Sequence, residues 1–245
     1  AHVINFLNHA RSDNSISLTA LVNEKLPVSD LSPLMLAARA AHAPTAKAFE
    51  LLRAGADLLL QTSTGVNALS IAAETGVHSD LVRMLLGFVS EEQQRQLVTH
   101  VDEMGESTLY HAAYNGDAET VRMLLELGAD PDVKAYPGAS PIQKDQDDFT
   151  PLMRAAIVGH SEVAATLLEH GADAGEKVIK NDGYHPMLMA ALQGQRQIVA
   201  QLLRLRPAAA HQADHSGLTP LMAASKNGHT ATVRLLLLAE GARKA

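Results

Sequence analysis

The 245-residue chain contains no cysteine and no tryptophan, and aromatic residues make up only 3% of it. Without thiols it can form neither disulfides nor thiolate-bound metal centres. That suits a reducing compartment, so a cytoplasmic location is expected. No apolar run approaches the roughly 18–20 residues needed to cross a bilayer; the longest, Leu235–Leu238, reads as an ordinary helix face. The N-terminal stretch "AHVINFLNHARSDN" lacks the basic and long apolar regions of a secretory signal, and it lacks an initiator Met, which suggests a segment of a longer chain. So few rings exclude a core built on large aromatic side chains. The 47% hydrophobic content comes mainly from Ala and Leu, as expected of many short helices packed closely.

Charge is unevenly spread. The net charge is −7, yet residues 74–173 carry 18 acidic and 6 basic residues, whereas residues 196–245 carry 7 basic and 2 acidic. The acidic middle would repel duplex nucleic acid. In the basic end, Arg196, Arg204, Arg206, Arg234, Arg243 and Lys244 read as solvated helix surface. Neither nucleic acid nor a membrane is an expected partner.

What the chain does have is repetition. "SPLMLAA" (32–38), "NALSIAA" (67–73), "STLYHAA" (107–113), "TPLMRAA" (150–156), "HPMLMAA" (185–191) and "TPLMAAS" (219–225) share one template, with starts separated by 35, 40, 43, 35 and 34 residues. Each is followed by a second apolar segment with paired Leu, such as "TVRMLLELGAD" and "VAATLLEHGAD". Each part has a mechanical reason. Ser or Thr can cap a first helical turn, and Pro fits there because its missing N–H would have no partner. Paired Ala lets a neighbouring helix approach closely. Gly in "YNGD", "IVGH", "LQGQ" and "KNGH" supplies the left-handed residue that ends the first helix. Neither helix can hide its apolar stripe alone, so the units must stack.

Over residues 27–245 this pattern resembles the ankyrin repeat family, whose signature is Thr-Pro-Leu-His-x-Ala at a period near 33. The tetratricopeptide repeat has a similar period but lacks the Gly-Ala-Asp ending and expects a Trp-Leu-Gly-Tyr pattern that is absent here. The resemblance implies an all-α ankyrin-repeat solenoid of about six helix–turn–helix repeats with projecting loops and a concave face. The repeats are placed at about 27–61, 62–101, 102–144, 145–179, 180–213 and 214–245, with residues 1–26 as an N-terminal cap made of a degenerate helix pair. The family's His position holds Met35, Ser70, Tyr110, Met153, Leu188 and Met222. An apolar, Met-rich seam is therefore expected in place of His-centred hydrogen bonds. The resemblance also assigns His160 and His229, which follow the helix-ending Gly, to packing between repeats.

The spacing breaks twice. About ten surplus residues fall around "VKAYPGASPIQKDQ", where Pro137-Gly138 and Pro141 mark turns and predict a projecting finger. About six fall around "SEEQQRQL", which is expected to extend the second helix of repeat two.

The resemblance further implies that loop tips and the exposed side of each first helix bind partner proteins. The corresponding positions are Glu103, Met104, Glu106, Tyr114 and Asn115 in repeat three. Repeat four contributes Gln146, Asp147, Phe149, Ile157 and Val158, and repeat five Asn181, Asp182, Tyr184, Leu192 and Gln193. Apolar and aromatic anchors inside a rim of carboxylates suit a partner protein with hydrophobic and basic anchors. Catalysis is not expected: there is no His-Glu-x-x-His, Gly-x-Ser-x-Gly or Gly-Lys-Ser/Thr motif, and the 12 His are scattered. No cofactor or metal is expected either. A module that recruits substrates or targets a larger protein, such as an enzyme, a bacterial effector or a channel, is the alternative reading.

Overall fold

A computed structural model describes residues 18–76, 79–135, 149–175 and 183–241. Residues 1–17 of the expected N-terminal cap, the expected finger from residue 136 onward, and Gln146, Asp147, Asn181 and Asp182 lie outside the described residues.

The architecture is all-helical. Helix α1 (Leu18–Asn23) is followed by the pair α2 (Pro33–Ala38) and α3 (Pro44–Arg53), and then by α4 (Ala68–Glu74) with α5 (Ser79–Gly87). After the intervening α6 (Glu91–Thr99) come α7 (Thr108–Asn115) with α8 (Ala118–Glu126) and α9 (Pro151–Val158) with α10 (Ser161–Glu169). The pairs α11 (Pro186–Leu192) with α12 (Arg196–Leu205) and α13 (Pro220–Lys226) with α14 (Thr230–Gly241) complete the order. A 3-10 turn at Pro207–His211 leads into the last pair. Among the described residues, extended pairing is limited to the single antiparallel bridges Gln61–Asn67, Val101–Ser107 and Ala135–Phe149.

The first helices start where side chains can cap them. Ser32, Asn67, Ser107, Thr150 and Thr219 each accept a hydrogen bond from the backbone N–H three residues on, at 2.9–3.3 Å. The "SEEQQRQL" segment departs from expectation: it is the separate helix α6, not an extension of α5. Gly87 ends α5, and Ser90 with Gln93 forms a reciprocal capping box that starts a new helix.

Packing follows two rows. The first helices α2, α4, α7, α9, α11 and α13 touch in succession, and the second helices α3, α5, α8, α10, α12 and α14 form a parallel row behind them. The Ala pairs 37/38, 72/73, 112/113, 155/156 and 190/191 are all buried, and they allow the first row to close up. Leu85, Leu124, Leu167 and Leu202 of the second helices fill the seam between the rows. The template's His position is indeed filled by buried Met35, Tyr110, Met153 and Leu188. Ser70 differs, because its hydroxyl donates to the Asn67 carbonyl at 2.9 Å and so completes a polar cap rather than an apolar contact.

Successive pairs are also joined by side chains that reach backwards. Asn115 Nδ2 donates to the carbonyls of Ala73 and Glu74 at the end of α4, at 3.0 and 2.7 Å. The Nε2 atoms of His160 and His229 donate to the Tyr114 and Leu192 carbonyls, at 3.0 and 2.9 Å. The same imidazoles lie over Gly116 and Gly194, both at positive φ (81° and 72°).

At α11 the template Ser or Thr is replaced by His185, which makes no side-chain cap. Its fully buried ring instead donates from Nε2 to the Gln212 carbonyl at 3.1 Å, tying α11 to the next loop. Burial lowers its pKa below the ordinary histidine range, against the opposing pulls of the Gln212 carbonyl and Asp214. The neutral ring is thus favoured in the folded chain. As pH falls through about 6.5, the unfolded chain takes up a proton that the folded one resists, and stability is lost. His185→Gln should flatten the decline in melting temperature below that pH; an unchanged pH profile would show that His185 does not contribute to it.

Candidate partner-binding face

The exposed side of the first-helix row brings most of the expected site residues together. Glu103, Met104 and Glu106 occupy the loop before α7, and Tyr114 and Asn115 its end. Phe149 precedes α9, which ends on Ile157 and Val158, while Tyr184 precedes α11, which ends on Leu192 with Gln193 as its cap. Because α7, α9 and α11 touch in order, these positions form two parallel lines, one on the loops and one on the helix ends.

The loops are held rigidly. Asp102 Oδ1 accepts from the N–H groups of Met104 and Glu106 at 2.8 and 2.9 Å, and the Glu103 N–H donates to the Thr64 carbonyl of the preceding loop at 3.0 Å. Phe149 exchanges two backbone hydrogen bonds with Ala135, both 2.9 Å.

These residues differ in how free they are. Tyr114 and Val158 stand out, 48% and 41% exposed. Phe149, Ile157, Tyr184 and Leu192 are half-buried and rest against the core, each showing only part of its apolar surface. Asn115 is committed to the backward-reaching bonds described above, so its role is structural at least in part.

Sequence reasoning missed the residue at the centre of this face. The Arg154 guanidinium of α9 lies over the rings of Tyr110 and Tyr114, 5.3 and 4.8 Å from their centroids. Tyr110 itself is 1% exposed, and its hydroxyl has no hydrogen-bond partner. The pairing spans two repeats whose template starts lie 43 residues apart, so nothing in "TPLMRAA" alone announces it. The partial signal was that Arg154 is the one cation at that template position, beside the chain's only Tyr in the His position.

The surroundings are acidic. Glu106 lies 3.7 Å from His111. Burial holds the Glu106 carboxyl above its ordinary range, Asp102 and Glu74 push the same way, and His111 and Arg154 pull against them. Asp102, Glu106 and His111 bring three potential ligand atoms within 4.8 Å of one another. They are the described residues that could hold a cation, although Asp102 already accepts two backbone hydrogen bonds. Elsewhere, an open cleft of about 370 Å³ between α10 and α12 is lined by Ser161, Gln197, Gln201 and Arg204. It sits on the second-helix row, away from the face described above. Among the described residues, no helix is long and apolar enough to cross a membrane.

Comparison with known proteins agrees with this architecture. A family model described as ankyrin repeats (3 copies) matches residues 34–135 and 174–245, and a single ankyrin repeat model matches residues 147–177. The human Transient receptor potential cation channel subfamily A member 1 is 28% identical over 235 residues, covering 95% of this chain and 19% of the channel. Palmitoyltransferase AKR1 of Lachancea kluyveri is 33% identical over 127 residues, 52% of this chain and 16% of that protein. Ankyrin repeat and SOCS box protein 14 of Mus musculus is 30% identical over 120 residues, 48% of this chain and 18% of that protein. The chain thus spans less than a fifth of each of these relatives. Its capped first helices, stacked Ala pairs, positive-φ glycines and family-model matches together place it in one group: the chain belongs to the ankyrin repeat family.

Proposed function

We propose that the chain is a non-catalytic protein-recognition module, working in the cytoplasm, whose first-helix face over repeats three to five grips a partner segment with apolar and basic anchors. The observation that carries this reading is the run of partly exposed Tyr114, Phe149, Ile157, Val158, Tyr184 and Leu192, flanked by Glu103 and Glu106. A rigid, partly apolar strip inside a carboxylate rim offers anchor pockets while repelling acidic competitors. Asp147, Asn181 and Asp182 are assigned to the same rim from their template positions. Gln193, exposed at the end of α11, would contribute a polar contact at its edge.

A second reading keeps this mechanism and makes the module the targeting or substrate-recruiting arm of a larger protein. It is favoured by the small share of each relative that the chain matches, in a channel, a palmitoyltransferase and a SOCS box protein.

The test is capture of partners by the isolated chain. Phe149→Ala with Tyr184→Ala should cut capture at least about tenfold while helical content stays unchanged. Because both side chains rest partly on the core, Val158→Asp at an exposed position is the companion variant, expected to give the same loss with no change in melting. Undiminished capture by Val158→Asp would place the binding surface elsewhere.

A further inference from the structure

We propose that Arg154 is a receptor for a carboxylate, so that the partner segment carries one Asp or Glu side chain directly beside its apolar anchor. This deepens the preceding reading and rests on it.

Three observations lead here. The guanidinium lies over two rings, its carbon 5.3 and 4.8 Å from the Tyr110 and Tyr114 centroids. A ring is attracted to the cation's charge but is a poor substitute for oxygen acceptors, and the guanidinium carries five N–H donors to satisfy. Among the described residues Arg154 forms no ion pair, and its Nε is buried without a hydrogen-bond partner. The Tyr110 hydroxyl lies beside the cation but is itself buried without a partner at hydrogen-bond geometry, and the Glu106 carboxylate lies 3.7 Å from the His111 ring.

Position supplies the rest. Arg154 sits on α9 between exposed Tyr114 on one side and Ile157 and Val158 one turn further along its own helix. A partner whose apolar anchor covers that patch must also cover the guanidinium. Covering a cation without supplying an acceptor strips its remaining water for no return. A carboxylate removes that penalty, because its two oxygens match the fork of terminal nitrogens. A cation pre-fixed by two rings also loses little freedom when the acceptor arrives. The neighbouring Glu74, Asp102 and Glu106 oppose a generally acidic segment. The fitting partner is therefore mixed: basic residues toward the rim and a single carboxylate toward Arg154.

The test is selection of a random dodecapeptide phage library on the folded chain. Sequences recovered on the wild-type chain should share an apolar column with an adjacent Asp/Glu column. On Arg154→Met the acidic column should vanish while the apolar column remains. For one recovered peptide, Glu→Gln (or Asp→Asn) should weaken binding about tenfold or more to the wild-type chain and leave binding to Arg154→Met unchanged. Arg154→Lys, which keeps the charge but not the fork, should recover only part of the difference. An apolar column without an acidic one, or an equal effect of Glu→Gln on both chains, overturns the carboxylate receptor while sparing the recognition face. Recovery of no peptide, or of peptides that bind Val158→Asp equally well, overturns both.

Discussion

Gly116→Ala should destabilise the chain by about 2–4 kcal/mol, and most of that loss should depend on a residue in the next repeat. Gly116 ends α7 at φ +81°, a conformation that costs an L-residue on the order of 1 kcal/mol. The larger part is steric. A Cβ built there would lie 2.6 Å from the His160 ring, far inside van der Waals contact. The imidazole would have to move, breaking its 3.0 Å bond to the Tyr114 carbonyl and leaving that helix end short of a donor, for about 1 kcal/mol or more. Urea denaturation of the two single variants and the double variant checks this. In a His160→Ala background the same Gly116→Ala change should cost only the backbone term, about 1 kcal/mol. Equal costs in the two backgrounds would show that ring and glycine do not act together.

Met153→Ala should cost about 2–4 kcal/mol, whereas Met222→Ala, the same template position two repeats later, should cost less than about 0.5 kcal/mol. Met153 is 2% exposed, enclosed between α7 on one side and α11 on the other. Removing its thioether leaves a void that rigid neighbours on both sides cannot close. Met222 on α13 is 56% exposed, so truncation there removes surface already in water. The two variants share a chemical change and a local sequence, Thr-Pro-Leu-Met, and differ only in neighbours. Similar losses measured for both would mean that Met222 is covered in solution.

That contrast shows where sequence reasoning succeeds and where it stops. Ser or Thr at the cap, Pro behind it, paired Ala and a helix-ending Gly each answer a local steric or hydrogen-bonding demand, so the period and the two rows of helices could be read from residue order. Whether Met faces a neighbour or solvent depends on position in the stack, which a shared motif does not encode. Helix α6 lay in between. Ser90-Glu-Glu-Gln93 is a readable capping box, but the register of the repeat drew the segment into an extension of α5.

The candidate face follows from the sequence as a set of positions and not as chemistry. Tyr114 and Ile157 were placed correctly on the first-helix side because their offset from the Ala pair decides it. Arg154 was missed because its meaning comes from Tyr110 and Tyr114, rings brought beneath it only by stacking. His185 was grouped with the cap residues by alignment of the template, although a buried imidazole bonded to Gln212 does a different job.

The backward reach of Asn115, His160 and His229 gives the molecule a direction that its near-periodic outline conceals. Each of these side chains supplies donors to carbonyls left open at the end of the preceding first helix. Severing the row between any two such units would therefore produce unequal fragments. The downstream piece would keep the donors with which it closes others, and the upstream piece would be left with a helix end that only water could finish.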